Sequence, residues 1–202
     1  MAAIVTKSTA QEKTFVGLSG VYAVLGGIPD SGDINELESA PVGGFKNGDC
    51  IQVPVRRDGG FTYTGGTPSV ERFNIHGMMG AYTARITPGD SEVNIEIPTY
   101  QTQILQFCGF KAKQVTKKIN GKKYTGMAYS ESPIALTLGL IGFNDEENKV
   151  MFLKKVKVQA SINFDGADTA KPVSVIMTGA SMAGGADDAI GFLEADDSSD
   201  SQ

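Results

Sequence analysis

Residues 134–164 read IALTLGLIGFNDEENKVMFLKKVKVQASINF, and the reading of this stretch decides the fold. Ile134, Leu136, Leu138 and Leu140 recur at every second position, the period at which a strand returns its side chains to one face. The loop NDEEN (Asn144–Asn148) turns the chain, and the returning segment sets Val156 and Val158 between lysines. A second turn, DGADTAKP (Asp165–Pro172), leads to Val173, Val175 and Met177 alternating with Ser174 and Thr178. Three consecutive strands joined by short connections predict a meander.

Further upstream, EVNIEIPTY (Glu92–Tyr100) alternates Val93, Ile95 and Ile97 with Glu92, Asn94 and Glu96 and stops at Pro98. Such a strand has one oily and one wet, acidic face. The next segment, TYQTQILQFCGF, predicts a two-turn helix with Thr99 as N-cap, Ile104, Leu105 and Cys108 on its buried side, and Gly109 at its end. In KQVTKKINGKKYTGMAY (Lys113–Tyr129), Asn120-Gly121 is the dipeptide that best tolerates two positive φ angles, so a type I′ hairpin is expected, its tip flanked by Lys117, Lys118, Lys122 and Lys123.

The first half of the chain reads less regularly. TFVGLSGVYAVLGG (Thr14–Gly27) offers short β-rich runs broken by glycines. Asp33 with Glu36 has the spacing of a capping box, which predicts a short helix ended by Pro41 and Gly43-Gly44. From Cys50, the alternation of Ile51, Val53 and Val55, followed by Asp58-Gly59-Gly60 and FTYT, predicts a hairpin. Pro54 lacks a backbone N–H, which places that strand at a sheet edge. Two more β-like runs cover Val70 to Ile75 and Ala81 to Thr87. The expected fold is mainly β, a sandwich or barrel of about ten strands with one or two short flanking helices.

With 202 residues, one domain is the default. The expected organisation is an N-terminal arm over 1–12, a β domain over 13–182 and an acidic, flexible tail over 183–202, in which Ile190, Phe192 and Leu193 form an alternative docking peptide. Six of the 23 acids lie in residues 187–202, which hold no Lys or Arg, so the remainder is nearly neutral. Within it, residues 1–100 hold 7 basic and 11 acidic side chains, and residues 101–186 hold 11 basic and 6 acidic ones. Opposite charge on the two halves suits a protein whose surfaces meet in copies of itself, although a solvated mixed surface has the same composition. No apolar run approaches the ~20 residues of a membrane-spanning helix, and no basic-then-apolar leader opens the chain. Cys50 and Cys108, the only cysteines, are therefore expected as reduced thiols.

Chemistry-bearing motifs are few. His76 is the only histidine, which limits every triad or multi-histidine metal scheme to one imidazole, expected on a loop or the surface. Neither cysteine lies in a C-x-x-C pair, and no phosphate-cradling glycine motif occurs. Asp30, Asp33, Asn35 and Glu36, and again Asp165 and Asp168, are oxygen-rich but lack EF-hand order, and turn and cap roles account for them. The lysines around Asn120-Gly121 have no aromatic platform for stacking bases. No cofactor, metal or catalytic residue is nominated.

The order of elements, with ARITPGDSEVNIEIPTY running into QTQILQFCG, then ESPIALTLGLIGF, KVMFLKKVKVQASINF and AKPVSVIMTGAS, resembles the major tail tube proteins of long-tailed bacteriophages over residues 10 to 181. This resemblance implies a non-enzymatic virion structural protein of the tail. It implies assembly in the bacterial cytoplasm into hexameric rings, stacked into a tube through which DNA passes without specific binding. Its implied partners are copies of itself and other tail proteins such as the tape measure and tail terminator, with no membrane. A DNA passage is expected to avoid strong cation–phosphate attachment. The lysine-rich tip, with Lys117, Lys118, Asn120, Gly121, Lys122 and Lys123 as candidate subunit contacts, is accordingly expected to point from the lumen toward acidic loops of a neighbour. The competing reading is a non-enzymatic β-sandwich module that binds a sugar or peptide, and a third is a hydrolase with an acid pair that no motif identifies.

Overall fold

The computed structural model describes residues 17–30, 34, 36–39, 41, 43–56, 59–73, 83–144, 148–164, 166, 172–182 and 189–195. Among these, twelve strands and one short helix follow the chain. The strands are β1 (Gly20–Leu25), β2 (Cys50–Val53), β3 (Phe61–Thr64), β4 (Ser69–Phe73), β5 (Thr83–Thr87) and β6 (Glu92–Ile97). After the helix α1 (Thr102–Phe107) come β7 (Ala112–Ile119), β8 (Lys122–Tyr129), β9 (Leu136–Asn144), β10 (Lys149–Asn163), β11 (Ser174–Ser181) and β12 (Ile190–Glu194). Eight strands form one antiparallel sheet in the order β2-β1-β9-β10-β11-β6-β3, with β12 added to β10. The pairs β4-β5 and β7-β8 are separate two-stranded hairpins.

The meander is present as β9-β10-β11. β10 is long enough to take two partners along one edge: β11 pairs with Val156–Asn163 and β12 with Lys149–Leu153. Residues 190–194, placed in the tail by composition, therefore belong to the sheet, as in the docking alternative. Between Leu153 and Val156, β10 carries one residue more than β9, which spans the same interval from Leu140 to Leu138. Such a bulge bends the strand and increases its twist.

The expected hairpin from Ile51 through FTYT does not form. β2 pairs with β1 at one end of the sheet, whereas β3 pairs with β6 at the other. Pro54 ends the ladder at Val53, and the chain then crosses: Val53 lies opposite Val21, and three residues later the Arg56 N–H bonds the Glu96 carbonyl at 3.2 Å. Three extended residues span at most about 10 Å, so the sheet curls until its ends approach. It is not closed into a barrel. The edge position inferred from Pro54 holds for β2.

One face of the curled sheet is the core. Val93, Ile95 and Ile97 are fully buried beside Val175, Met177, Val156, Val158, Leu138 and Leu140. α1 caps this face with Ile104, Leu105 and Phe107, and the Phe107 ring meets Phe45 edge-on at 5.1 Å between centroids. Each such apolar side chain removed from water contributes about 1.5–3 kcal/mol. The helix starts later than expected: Gln101 is the N-cap, and Thr99 Oγ1 instead accepts the Gln101 N–H at 3.1 Å. Gly109, at φ +88°, ends the helix as expected. Asp33 lies outside the described residues, but its supposed capping partner Glu36 is extended and bridged to Cys50. Backbone pairing with β2, through the Leu37 N–H to the Cys50 carbonyl at 2.7 Å, takes precedence over a helix there.

Candidate functional site

The second face of the sheet divides into two zones of opposite character. Over β10, β11, β6 and β3 it is wet. Gln159 lies opposite Thr178, Thr178 opposite Asn94, and Asn94 opposite Thr62, so one row of uncharged polar side chains crosses four strands, all exposed. One neighbouring row is Ser161, Ile176 and Glu96, and the other begins with the exposed Lys157 opposite Ala180. The Glu96 carboxylate is 3.5 Å from the Arg56 guanidinium. These positions follow directly from strand alternation, since the intervening residues are core.

Over β1, β9, β10 and β12 the same face is apolar and forms a groove of about 590 Å³. Tyr22, Ile141, Phe143, Val150 and Phe152 make the floor, Leu193 of β12 one wall, and Ile28, Pro29, Asp30, Ile34 and Glu36 a lip. Two glycines shape it. Gly139 leaves room for Ile28, which a Cβ would meet at 2.5 Å, and Gly191 leaves room for the Phe152 ring, which a Cβ would meet at 2.3 Å. The lip is tied down where β10 bulges: the Ile28 N–H bonds the Lys154 carbonyl at 2.9 Å, and Lys154 forms an ion pair with Asp30 across the mouth. Tyr22 and Phe143 stack edge-on at 5.2 Å between centroids. Glu36 continues the lip into a second, more polar depression of about 390 Å³ lined by Glu38, Gln52, Gln101 and Gln103.

The six residues singled out as subunit contacts sit together at the tip of the β7-β8 hairpin. Asn120 (φ +49°) and Gly121 (φ +80°) both adopt the left-handed region that the type I′ turn requires. The hairpin's two strands pair over eight residues each, a reach of about 27 Å. Nearly every side chain along it is exposed. Its root is fixed by Tyr129, which packs against the core and whose hydroxyl is 2.8 Å from Thr102 Oγ1. One of its faces carries Lys117 opposite Tyr124 and Ile119 opposite Lys122; the other sets Lys118 directly against Lys123. Residues 97–130 contain six lysines and no acid.

The second hairpin, β4-β5, exposes the cross-strand pair Val70 and Ile86. Cys50 and Cys108 are both buried free thiols. Burial pushes the Cys108 thiol up to about 12, and burial with the nearby Glu36 carboxylate pushes Cys50 up to about 11. Cys108 Sγ lies 3.7 Å from Met177 Sδ. Such thiols are packing residues rather than nucleophiles. His76, Asp33, Asn35, Asp165 and Asp168 lie outside the described residues. Of the remaining members of the oxygen-rich loops, Asp30 is engaged by Lys154 and Glu36 belongs to the β2 edge.

The groove was not anticipated from sequence. Its signal was the uninterrupted apolar run of β9, where Ile141 and Phe143 fall on the face opposite Leu138 and Leu140. A strand apolar on both faces is covered on both. No protein-family model matches the chain, and no curated protein matches its sequence.

Proposed function

We propose that this chain is a structural protein that joins copies of itself into stacked rings, in the manner of the tail tube proteins it resembles, and that the resulting tube passes DNA. The observation that carries this reading is the row Gln159, Thr178, Asn94 and Thr62. Four adjacent strands present a broad hydrated surface without a fixed cation in that row. Such a surface lets a polyanion slide, because few condensed counterions are released by contact with it. Closure of rings would cover the sheet ends at β2 and β3, which otherwise leave strand edges that template aggregation. In this reading the partners are further copies of the chain and other tail proteins, and the site of action is the virion tail.

The apolar groove favours a second reading, a module that binds an apolar peptide in its 590 Å³ cleft. Negative-stain microscopy of the purified, concentrated protein separates the two. Stacked rings of uniform diameter support the tube; a monodisperse monomer that takes up a hydrophobic peptide supports the module and rejects the tube.

A further inference from the structure

We infer that the tip of the β7-β8 hairpin of one copy docks into the apolar groove of another, with Ile119 and Tyr124 against its floor and the flanking lysines against Glu36 and Glu38. The inference rests on the assembly reading and names the contact through which one copy holds the next.

Three observations carry it. First, the hairpin is built for a partner. Two strands with no sheet or helix stacked on them are marginal in water, and this pair extends from the body with Ile119 56% and Tyr124 54% exposed. These two side chains share a face, diagonal neighbours across the ladder, and so form one apolar patch at the tip. Second, its charge is uncompensated. Lys118 and Lys123 face each other directly, an arrangement that costs stability. No described carboxylate pairs with the hairpin lysines. Third, the same chain carries the complement: an open apolar groove bordered by Glu36, with Glu38 in the adjoining polar depression. Glu36 and Glu38 form no ion pair among the described residues. The groove offers an apolar floor for the apolar patch and carboxylates for the lysines, whereas a nucleic acid partner would answer only the charges.

Because hairpin and groove are different surfaces, the contact is head-to-tail. Such contacts generate a ring where the rotation between copies closes and an open filament where it does not.

Two full-length variants test it. Lys118→Glu with Lys123→Glu, and Glu36→Lys with Glu38→Lys, each reverse one side of the contact at exposed positions, and circular dichroism checks the fold of each. Sedimentation velocity should show the concentration needed for assembly raised roughly 100-fold in either variant alone. Assembly should return when both reversals are combined in one chain. Independently, Ile119→Cys with Ile34→Cys should give disulfide-linked multimers on a non-reducing gel, because the native thiols are buried.

If either reversal assembles as the original does, or only monomers appear on the gel, the docking is wrong while the tube reading stands. Should the original chain remain monomeric at every concentration, both fall. Normal assembly with lost affinity for a 30-base-pair duplex would assign the lysines to nucleic acid instead. If the Ile34→Cys thiol becomes reactive only after removal of residues 1–16, the groove is filled by its own chain and the proposal is rejected.

Discussion

Asn94 and Thr178 face each other across the β6-β11 ladder, at the middle of a polar row that Gln159 and Thr62 extend to four strands. Both are exposed, so each tolerates a long side chain without disturbing the buried residues that alternate with it. Placing lysine at both, Asn94→Lys with Thr178→Lys, should leave the fold intact and convert a sliding surface into a sticking one. Fluorescence anisotropy with duplex DNA should show assembled material gaining affinity over the original, and losing it steeply as salt rises. An unchanged affinity would remove this row from the DNA path.

Gly179 lies opposite Val158 between β10 and β11, where an added Cβ would come within 1.9 Å of the Lys157 carbonyl oxygen. Backbone cannot retreat as a flexible side chain can. Gly179→Ala should lower stability by at least about 2 kcal/mol in urea unfolding, a larger loss than glycine-to-alanine replacement at an open strand position would cause.

Phe107 is the largest fully buried side chain among the described residues and joins α1 to the sheet. Phe107→Ala should cost about 3–5 kcal/mol by leaving a cavity that the short helix is unable to fill. Guanidinium unfolding monitored by circular dichroism measures the loss.

Gly121→Ala strains one residue held at φ +80° and should cost about 1 kcal/mol, confined to the hairpin. Hydrogen exchange should accelerate toward the tip of the 112–129 hairpin with little change in the core strands, because only its root, at Tyr129, packs on the body.

Both thiols hold their protons above the ordinary cysteine range, Cys108 up to about 12 and Cys50 up to about 11, mainly through burial. The folded chain therefore binds more protons than the unfolded chain in alkali. The stability this represents is fully present below pH 9, the ordinary thiol value, and is lost as pH rises through 11 and 12. Cys108→Ala should flatten that decline, measured as unfolding free energy against pH. At pH 8, a thiol reagent should label neither cysteine until the chain unfolds.

Local patterns in the sequence carried the elements whose partners are adjacent in the chain. The alternation of Leu136, Leu138 and Leu140 and the turn at Asn120-Gly121 needed no distant information, and β9, β10 and the β7-β8 hairpin follow from them. β2 and β3 were paired wrongly for the opposite reason. Their alternation and intervening glycines are those of a hairpin, and only the curl of the whole sheet sends one to β1 and the other to β6. β12 was obscured by composition, since Ile190–Glu194 is surrounded by aspartates, serines and glycines, while its pairing is set by the open half of β10. The lysine cluster at the candidate contact was legible because a turn dipeptide marks its place. The groove was not, because it is assembled from β1, β9, β10, β12 and a lip far apart in the chain.

The sharing of one β10 edge between β11 and β12 bears on biosynthesis. Lys149–Leu153 acquires its second neighbour from Ile190–Glu194, which leaves the ribosome only after the whole meander has done so. A nascent chain that has already folded its meander still carries that bare edge beside Phe152, and two such intermediates on one polysome are able to pair there. Chains released before residue 190 retain the hazard permanently, so such truncations are expected to precipitate rather than accumulate as harmless monomers.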